Sequence, residues 1–418
     1  MLVAFVARLV YALVVTDYFE YGIDAIWYQL QAGFVSSGFG YIDPASFFDG
    51  MPRFTANFPP LHPLMLAVVA EVHDSKLSFQ ITGCVVGSAT VGLVGLLGRR
   101  VAGPRAGLLA AVLAAFSPFL IASDLSLMAE GLYVAVVVGS VLAAYRALDR
   151  PTPGRWIVLG LVLGAAALAR SEGVLLAVIL VLPLTVEVRS RPVLARVGLA
   201  ATTLVCCLVV MVPWFARNDR AMGEPVLLST NSATLVAGAN CDETYSGKSL
   251  GSWKFDCAPS DRFSDLGELE YAETARDEAW SYARDNWTHL PLVGTARVLR
   301  AYGLWNPVDQ TRVEEIESRW FPWQIAGWIV YVLLLPFAVG GFVLLARRRG
   351  LALWPLFAPI VTVTVTILAG WGNQRFRLPA EPVLLIAAAV ALDALWQRRE
   401  QNAAAPFRPP PRPRSASP

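Results

Sequence analysis

The sequence predicts an all-α polytopic membrane protein with about ten transmembrane helices. Of its 418 residues, 56% are hydrophobic and only 16% are charged, and the mean hydropathy is +0.52. This composition is too apolar for a soluble fold with a solvated surface. A spanning helix needs about 20 mostly apolar residues. The candidate spans are Met1–Thr16, Ser78–Leu97, Ala106–Ile121, Leu127–Leu148, Trp156–Ala169, Gly173–Val188, Val197–Trp214, Trp323–Ala346, Leu351–Ala369 and Pro379–Trp396.

The positions of the arginines predict the topology, because cytoplasmic loops carry an excess of Lys and Arg. Every second short loop is basic, and with ten spans all the basic loops fall on the side of both termini. An eleventh span at Leu61–Val72 would reverse this pattern, so we predict a juxtamembrane helix at the outer surface there. The basic residues are Arg99, Arg100, Arg105, Arg146, Arg150, Arg155, Arg189, Arg191, Arg196, Arg347, Arg348, Arg349, Arg398 and Arg399.

This topology divides the chain into four parts. The predicted parts are a transmembrane module (1–216) that includes a first outer loop (17–77), an extracytoplasmic loop domain (217–322), C-terminal transmembrane helices (323–400) and a disordered cytoplasmic tail (401–418). The loop domain contains helical patterns such as Leu266–Asn286, which predict a small ordered cap. The tail is rich in Pro, Arg and Ser, which is typical of disorder.

Charge and composition exclude two classes of function. The net charge of +2 provides no basic field for nucleic acid, and three histidines are too few for a histidine-built metal cluster. Cys241 and Cys257 fall in the outer loop domain, where they either form a disulfide in an oxidising compartment or are two unrelated thiols. The other three cysteines lie in spans and are expected to pack as small apolar residues.

The first outer loop contains the first candidate site residues. Asp24, Trp27, Tyr28 and Gln31 recur at steps of three and four residues, which places a carboxylate and aromatic rings on one face of a surface helix. A helix cap or a solvated acid is the alternative role for Asp24. Spacing alone does not rank it against the other acids of the loop, which are Asp17, Glu20, Asp43 and Asp49.

The other outer ends of the predicted spans also carry charges at the membrane boundary. Charges at this depth pair with one another or face a polar cavity. Arg170 with Glu172, and Arg377 with Glu381, could each be a structural ion pair, but five segments converging on one side predict a polar cavity that opens outward. The charged residues are Asp124, Glu130, Arg170, Glu172, Arg217, Arg375, Arg377 and Glu381.

Such a cavity suits a lipid-linked anion, because arginine forks match phosphate oxygens. Aromatic residues at its predicted rim fit the headgroup level of a bilayer. Transfer from a sugar phosphate needs one carboxylate as a general base. The phosphate leaves as an anion, so no second acid has to protonate it, unlike glycoside hydrolysis.

At these residues the sequence resembles the GT-C superfamily of polytopic glycosyltransferases, particularly the bacterial dolichyl-phosphate-mannose and aminoarabinose transferase-like branch. The likeness covers nearly the whole chain. It rests on IDAIWYQLQAG, NFPPLHPLMLA, LLGRRVAGPRAGLLAA, SLMAEGLY, ALARSEG, PWFARN, LLSTNSATLVAGANC and RFRLPAEP, taken in this order.

The resemblance implies an inverting transfer from a polyprenyl-phosphate sugar to a hydroxyl of a glycan, lipid or protein at the extracytoplasmic face. It implies that Asp24 is the catalytic base, although Ile23 here separates the glycine from the aspartate of the GD-type motif. Asp43 is the alternative base, and Asp124 is a further functional carboxylate. The implied substrate-binding residues are Tyr28, Glu130, Arg170, Arg217, Arg375 and Arg377.

Two further expectations follow from the sequence. The first loop has no tight acidic cluster such as an Asp-x-Asp pair, so we expect no obligatory metal cofactor, although some relatives use a divalent metal. Only three of the 34 basic residues are lysines, and together with heavy Ala, Val and Gly usage this indicates a high-GC bacterium. GANCDETYSG looks like actinobacterial members of the family. We therefore expect a multi-pass protein of the bacterial plasma membrane with both termini cytoplasmic.

Two other classes of protein remain as alternatives. One is a transporter or flippase of a lipid-linked or envelope precursor, and the other is a non-catalytic GT-C-like envelope assembly protein. Transporters commonly show internal repeats and broken helices near the midplane. No repeat is visible here and the predicted midspan positions are apolar, which favours the enzyme over the transporter.

Overall fold

The computed structural model describes residues 1–258, 266–348 and 350–404, and it confirms the predicted all-α membrane fold. Helices account for 78% of the chain. Within the described ranges there is no β-strand, and an isolated antiparallel bridge joins Ile42 to Phe54. The last helix continues to Ala404, so the rest of the predicted tail, and the predicted loop residue Arg349, lie outside the described residues.

The first part of the chain contains the helices α1 to α11. Their bounds are α1 (Leu2–Val10, continued by a π-helical turn over Tyr11–Val15), α2 (Ile23–Ser36), α3 (Pro44–Phe48), α4 (Leu61–Ala70), α5 (Lys76–Ala102), α6 (Pro104–Ala115), α7 (Pro118–Leu125), α8 (Glu130–Asp149), α9 (Pro153–Ala169), α10 (Glu172–Glu187) and α11 (Val193–Met222).

The loop domain and the C-terminal helices follow. Their bounds are α12 (Ser232–Ala237), α13 (Glu268–Asp285), α14 (Leu290–Ala301), α15 (Pro307–Ile316), α16 (Phe321–Ala346), α17 (Trp354–Ala369), a 3-10 segment (Gln374–Ala380) and α18 (Glu381–Ala404). The predicted helical pattern over Leu266–Asn286 corresponds to α13.

The sequence predicts ten membrane spans, but fewer helices of the structure are long and apolar enough to count as spans. Among the described residues, five helices are long and apolar enough to cross a membrane: α5, α8, α11, α16, and α18 with its 3-10 segment. Two bent helix pairs raise this number to seven if each pair is one span, and α4, α9 and α17 are shorter apolar helices. The count of ten therefore stays a prediction.

One of the bent pairs interrupts the predicted span Ala106–Ile121. Helix α6 ends at Ala115, and α7 begins at Pro118 with a bend of 55° between them. Ser117 caps α7 by accepting a hydrogen bond from the Leu120 N–H. Proline has no N–H and is favoured in the first turn of a helix, and Pro118 stands there at the start of α7.

Close helix packing holds the transmembrane part together. A Cβ added at Gly160 of α9 would lie 2.4 Å from the Thr203 carbonyl oxygen of α11. A Cβ added at Gly341 of α16 would lie 1.7 Å from the Ala387 carbonyl oxygen of α18. Small residues let helix backbones approach in a membrane, where dispersion contacts rather than the hydrophobic effect drive helix association.

A buried ion pair explains how the apolar helix α1 accommodates the charge of Arg8. The Arg8 side chain is fully buried, and its Nε donates to the Asp124 carboxylate at 2.7 Å. An unpaired charge at this depth would cost several kcal/mol, on the order of 2.5–3.5 kcal/mol on insertion scales. Asp124, predicted as a functional carboxylate, is therefore placed as the counter-ion of Arg8.

Helix α11 extends past the predicted span Val197–Trp214 and the predicted loop start at Arg217. It continues to Met222 and ends where Gly223 adopts φ +78°, a left-handed conformation that glycine reaches without strain. The side chain of Asn218 donates to the Val226 carbonyl at 3.1 Å, which folds the outgoing chain back onto the helix.

A disulfide joins Cys241 and Cys257 in the loop domain, as the sequence predicts for an oxidising compartment. Arg297 of α14 also ties this segment down, because its guanidinium donates to the Ala239 carbonyl at 2.6 Å and to the Leu368 carbonyl at 2.8 Å. The disulfide and the buried arginine together fix the beginning of the loop domain against α14 and α17.

We expect Cys241→Ser and Cys257→Ser to lower the free energy of unfolding equally, because either change removes the same covalent link. The loop that the bond closes spans 16 residues, and a loop of this size corresponds to about 3 kcal/mol. Thermal unfolding of the purified variants would measure the effect, with the free, half-buried Cys206 replaced by serine as a control. Unequal losses, or a double variant much worse than either single one, would contradict this expectation.

Candidate active site

A cavity of about 310 Å³ lies where the first loop meets the ends of the transmembrane helices. One wall is charged and includes Asp24, Glu130, Arg170, Glu172 and Arg375. The opposite side combines hydroxyl and amide groups with an apolar surface. The lining residues on that side include Ser229, Asn231, Ser232, Thr366, Leu175, Leu235, Val365 and Ala369.

The first loop contributes Asp24 from the first turn of α2. The side chain of Asp24 keeps about a third of its surface exposed (34%), so it is accessible from the cavity. Tyr28, one turn later, is buried at the cavity wall, and its ring contacts Phe58 and His62 with ring centroids 4.8 and 4.9 Å apart. The helical spacing that the sequence shows therefore does place Asp24 and Tyr28 on one face.

Arg375 lies at the centre of the charged wall. Its guanidinium is 3.5 Å from the Asp24 carboxylate and 3.2 Å from the Glu130 carboxylate, and it also pairs with Glu317. Its backbone N–H donates to the side chain of Asn373 at 2.8 Å, which caps the 3-10 segment before α18. This segment brings Arg375 across to α2, more than 350 residues away in the chain.

Arg170 provides the second positive charge. It follows the C-terminus of α9, and its guanidinium contacts Glu130 at 2.6 Å and Glu172 at 2.9 Å. Glu130 and Glu172 lie in the first turns of α8 and α10, where the helix dipole favours a negative charge. The first turns of α8 and α10 thus meet at the cavity, and their carboxylates Glu130 and Glu172 both contact Arg170.

Glu317 does not line the cavity but pairs with Arg375 of the charged wall, and the sequence did not point to it. It follows the last residue of α15 and pairs with Arg375, with about a fifth of its side chain exposed (20%). Burial raises the pKa of Glu317 to about 7; Arg375 opposes this rise and the nearby Asp24 adds to it. No motif marks Glu317, because the segment VEEIES is typical of a solvated helix end. Only the fold brings Glu317 to Arg375.

The structure does not bring four of the predicted site residues to the cavity. Asp43 caps α3 by accepting from the Ser46 N–H at 2.8 Å, and Asp124 pairs with Arg8. Arg377 is buried, pairs with Glu381 at 3.4 Å and stacks on the ring of Tyr331. For Arg377 the structure therefore favours the ion pair that the sequence offered as the alternative to a phosphate-binding role.

Arg217 is the fourth residue outside the cavity. Its guanidinium donates to the carbonyls of Tyr41 and Thr55, both at 2.7 Å, and lies over the rings of Tyr41, Phe54 and Trp214. These contacts tie α11 to the first loop, so the structure places Arg217 as a support for the loop that carries Phe58 into the cavity wall.

The charged wall does not fit a metal ion as it stands. Among the described residues, no group of three or more His, Cys, Asp or Glu side chains is arranged to hold one. Asp24 and Glu130 face the same cavity, but the guanidinium of Arg375 lies against both carboxylates.

Comparison with known proteins gives the family context of this site. The family model described as dolichyl-phosphate-mannose-protein mannosyltransferase matches residues 57–216. This range covers α4 to α10 and most of α11, with Glu130 and Arg170, but not Asp24, Glu317 or Arg375. No curated protein sequence matches the chain.

Solved structures share the fold at low sequence identity. The archaeal oligosaccharyltransferase AglB from Archaeoglobus fulgidus, in complex with an inhibitory peptide and a dolichol-phosphate, is 12% identical, with a TM-score of 0.55 over 97% of this chain and 52% of the other. The same organism's oligosaccharyltransferase in complex with Zn and sulfate is 14% identical, with a TM-score of 0.56 over 96% of this chain and 50% of the other.

A bacterial structure matches in the same way. ArnT from Cupriavidus metallidurans bound to undecaprenyl phosphate is 16% identical, with a TM-score of 0.55 over 96% of this chain and 62% of the other. The chain thus spans between half and two thirds of the length of these proteins.

The fold and the cavity define a multi-pass membrane protein with a charged site at the ends of its helices. The chain shares its fold with AglB and ArnT, and residues 57–216 match the dolichyl-phosphate-mannose-protein mannosyltransferase family model.

Proposed function

We propose that the protein transfers a sugar from a polyprenyl-phosphate donor to a hydroxyl acceptor, with inversion at the anomeric carbon, at the extracytoplasmic face of a bacterial plasma membrane. The observation that carries the proposal is the exposed carboxylate of Asp24 in a cavity that also contains Arg375 and Arg170. A base and two phosphate-binding groups within one cavity are what this reaction requires.

The proposed reaction is a single displacement. Asp24 accepts the proton of the acceptor hydroxyl as its oxygen forms a bond to the anomeric carbon. The bond from that carbon to the phosphate oxygen breaks, and the electron pair leaves with the phosphate. Arg375 stabilises the charge that develops on the phosphate, so no second acid is needed.

The apolar part of the cavity suits the prenyl chain. Leu175 of α10 and Val365 of α17 line it together with Leu235 of α12 in the loop domain, so the cavity has an apolar surface beside its charged wall. Solved relatives bound to dolichol-phosphate and to undecaprenyl phosphate support this choice of donor class.

The placement of the arginine-rich loops supports the proposed side of the membrane. Helices α8 and α10 begin at the cavity with Glu130 and Glu172, and both end beside arginines of the basic loops. Helix α9 runs the other way and ends at Arg170. Because cytoplasmic loops carry the arginine excess, the cavity would lie at the opposite, extracytoplasmic end.

Transfer of a radiolabelled sugar from a panel of polyprenyl-phosphate donors to membrane extracts would test the proposal. We expect transfer by the purified protein, lost in Asp24→Asn and retained in Asp49→Asn, which makes the same change at an exposed position of the same loop. If the folded protein binds no donor and transfers no sugar, the proposal is wrong and a transport or assembly role gains weight.

We also propose that the reaction needs no obligatory metal, because the guanidinium of Arg375 already lies against the carboxylates of Asp24 and Glu130, where a cation would have to bind. Incubation with EDTA followed by its removal is therefore expected to leave the transfer rate unchanged. Loss of transfer that added Mg²⁺ or Mn²⁺ restores would show that a metal is required.

A further inference from the structure

The charged wall, taken together with Glu317, which pairs with Arg375 but does not line the cavity, contains more carboxylates than arginines. Arg375 contacts the carboxylates of Asp24, Glu130 and Glu317, and Arg170 contacts those of Glu130 and Glu172. With every group ionised, four negative charges face two positive charges, which leaves a net charge of −2. An anionic phosphate that enters this site is repelled by the excess negative charge, and removing one negative charge lowers this repulsion.

Arg375 must also be freed from a carboxylate before it can donate to a phosphate. Glu130 is held by Arg170 as well, at 2.6 Å, and this second contact keeps it in place. Asp24 has to remain ionised to act as the base in the proposed function. Glu317 lies at the end of α15 and pairs with Arg375 from the loop domain, so it is the carboxylate that can give up this arginine without removing the base.

The backbone around Glu317 is fixed against the start of α2. The Gly22 N–H donates to the buried hydroxyl of Ser318 at 2.7 Å, and Ser318 adopts a left-handed φ of +65°. A Cβ added at Gly22 would lie 2.0 Å from the carbonyl oxygen of Ile316. The position of the Glu317 backbone relative to Asp24 is therefore set by the packing, and the side chain of Glu317 is the part that can move.

Burial and the nearby carboxylates of Asp24 and Glu314 disfavour the negative charge of Glu317, whereas Arg375 and, less strongly, Arg319 favour it. Asp24 of α2 faces it, while Glu314 and Arg319 beside it form a buried ion pair with each other. Arg375 is thus its main counter-charge, with burial opposing ionisation. These opposing effects leave the pKa of Glu317 at about 7.

We propose that Glu317 releases Arg375 to the donor phosphate and takes up one proton from solvent as the donor binds. The inference rests on the proposed function, and it makes Glu317 a positioning residue that acts through Arg375. The proton balances the incoming negative charge, so the total charge of the wall with its ligand stays the same.

The proposal fixes the sign of the pH dependence. In the free protein above pH 7 Glu317 is mostly ionised, and in the donor complex the adjacent phosphate would keep it protonated. Binding that takes up a proton weakens as pH rises. We therefore expect the Kd for the donor to be constant below about pH 6.5 and to increase toward about tenfold per pH unit above pH 7.5.

Isothermal titration calorimetry of the full chain in detergent would test this directly. The probe is a short-chain polyprenyl phosphomannose, a phosphodiester that keeps one negative charge across the range. Titrations at pH 8 in buffers of different ionisation enthalpy give the number of protons taken up, and we expect about one for the wild type. No proton uptake by the wild type would overturn the proposal without any variant.

Two variants complete the test. Glu317→Gln is expected to bind the probe more tightly at pH 8, with no proton uptake and a Kd that no longer changes with pH. Glu315→Gln removes the same charge from an exposed position two residues away and is expected to behave like the wild type. Proton uptake that persists in Glu317→Gln would assign the proton to another group and contradict the inference.

The outcome separates this inference from the proposed function. If the probe binds but its Kd does not depend on pH, only the role of Glu317 is wrong. If the folded protein does not bind polyprenyl-phosphate sugars at any pH, the donor class itself is wrong.

Discussion

Asp24→Asn is expected to lower sugar transfer by about 10²- to 10⁴-fold, which is the usual contribution of a general base. Asparagine fills nearly the same volume but cannot accept the proton of the acceptor hydroxyl. The exposed fraction of the Asp24 side chain and its place in the first turn of α2 mean that the change removes no buried packing. Single-turnover transfer with saturating donor would measure the loss.

The donor Kd distinguishes a lost base from a damaged site. Asp24 is 3.5 Å from Arg375, whereas the contact of Glu130 with Arg375 is 3.2 Å, so Arg375 keeps its other partners in the variant. We expect the Kd of Asp24→Asn to equal that of the wild type or to be slightly lower, because one negative charge near the phosphate is gone. Turnover close to that of the wild type would show that Asp24 is not the base.

Arg375→Ala is expected to weaken donor binding and transfer together. A hydrogen bond to a charged group contributes about 1.5–3 kcal/mol, so the Kd should increase roughly 10- to 100-fold from that contact alone. Removing Arg375 also leaves Asp24, Glu130 and Glu317 close together without their shared counter-charge. Breaking a buried pair in this way costs about 3–5 kcal/mol of stability.

Two further variants separate binding from stability for Arg375. Arg375→Lys keeps the charge but loses the fork that matches two phosphate oxygens, so it should recover most of the stability and only part of the donor affinity. Arg377→Ala removes an arginine two residues away that pairs with Glu381 outside the cavity. It should lower the unfolding temperature while the folded protein binds the donor normally. A selective loss of donor affinity in Arg377→Ala would restore the phosphate-binding role that the sequence suggested for Arg377.

The sequence alone predicts which residues of the first loop share a face. The steps of three and four between Asp24, Tyr28 and Gln31 follow directly from helical geometry, and α2 has the expected form. It also predicts the disulfide partners of the loop domain, because two cysteines stand there while the others lie in apolar segments.

The sequence could not separate structural charges from site charges. Arg375 and Arg377 stand in the same short motif, yet the 3-10 geometry of the segment directs Arg375 into the cavity and Arg377 toward Glu381 and Tyr331. Asp124 and Glu130 stand six residues apart at the same end of the transmembrane part. Only the fold shows that Asp124 pairs with Arg8 whereas Glu130 pairs with Arg170 and Arg375, and no local pattern relates Arg8 to Asp124.

Composition, apolar periodicity and the spacing of arginines were enough to determine an all-helical membrane protein with its charged residues at the helix ends, because these properties act locally along the chain. Only the tertiary structure decided which charges meet. Glu317 and Arg375 are 58 residues apart, and Asp24 and Arg375 are 351 residues apart. An ion pair depends on the distance between two groups in space, and that distance is set by the packing of α2, α8, α15 and the 3-10 segment together.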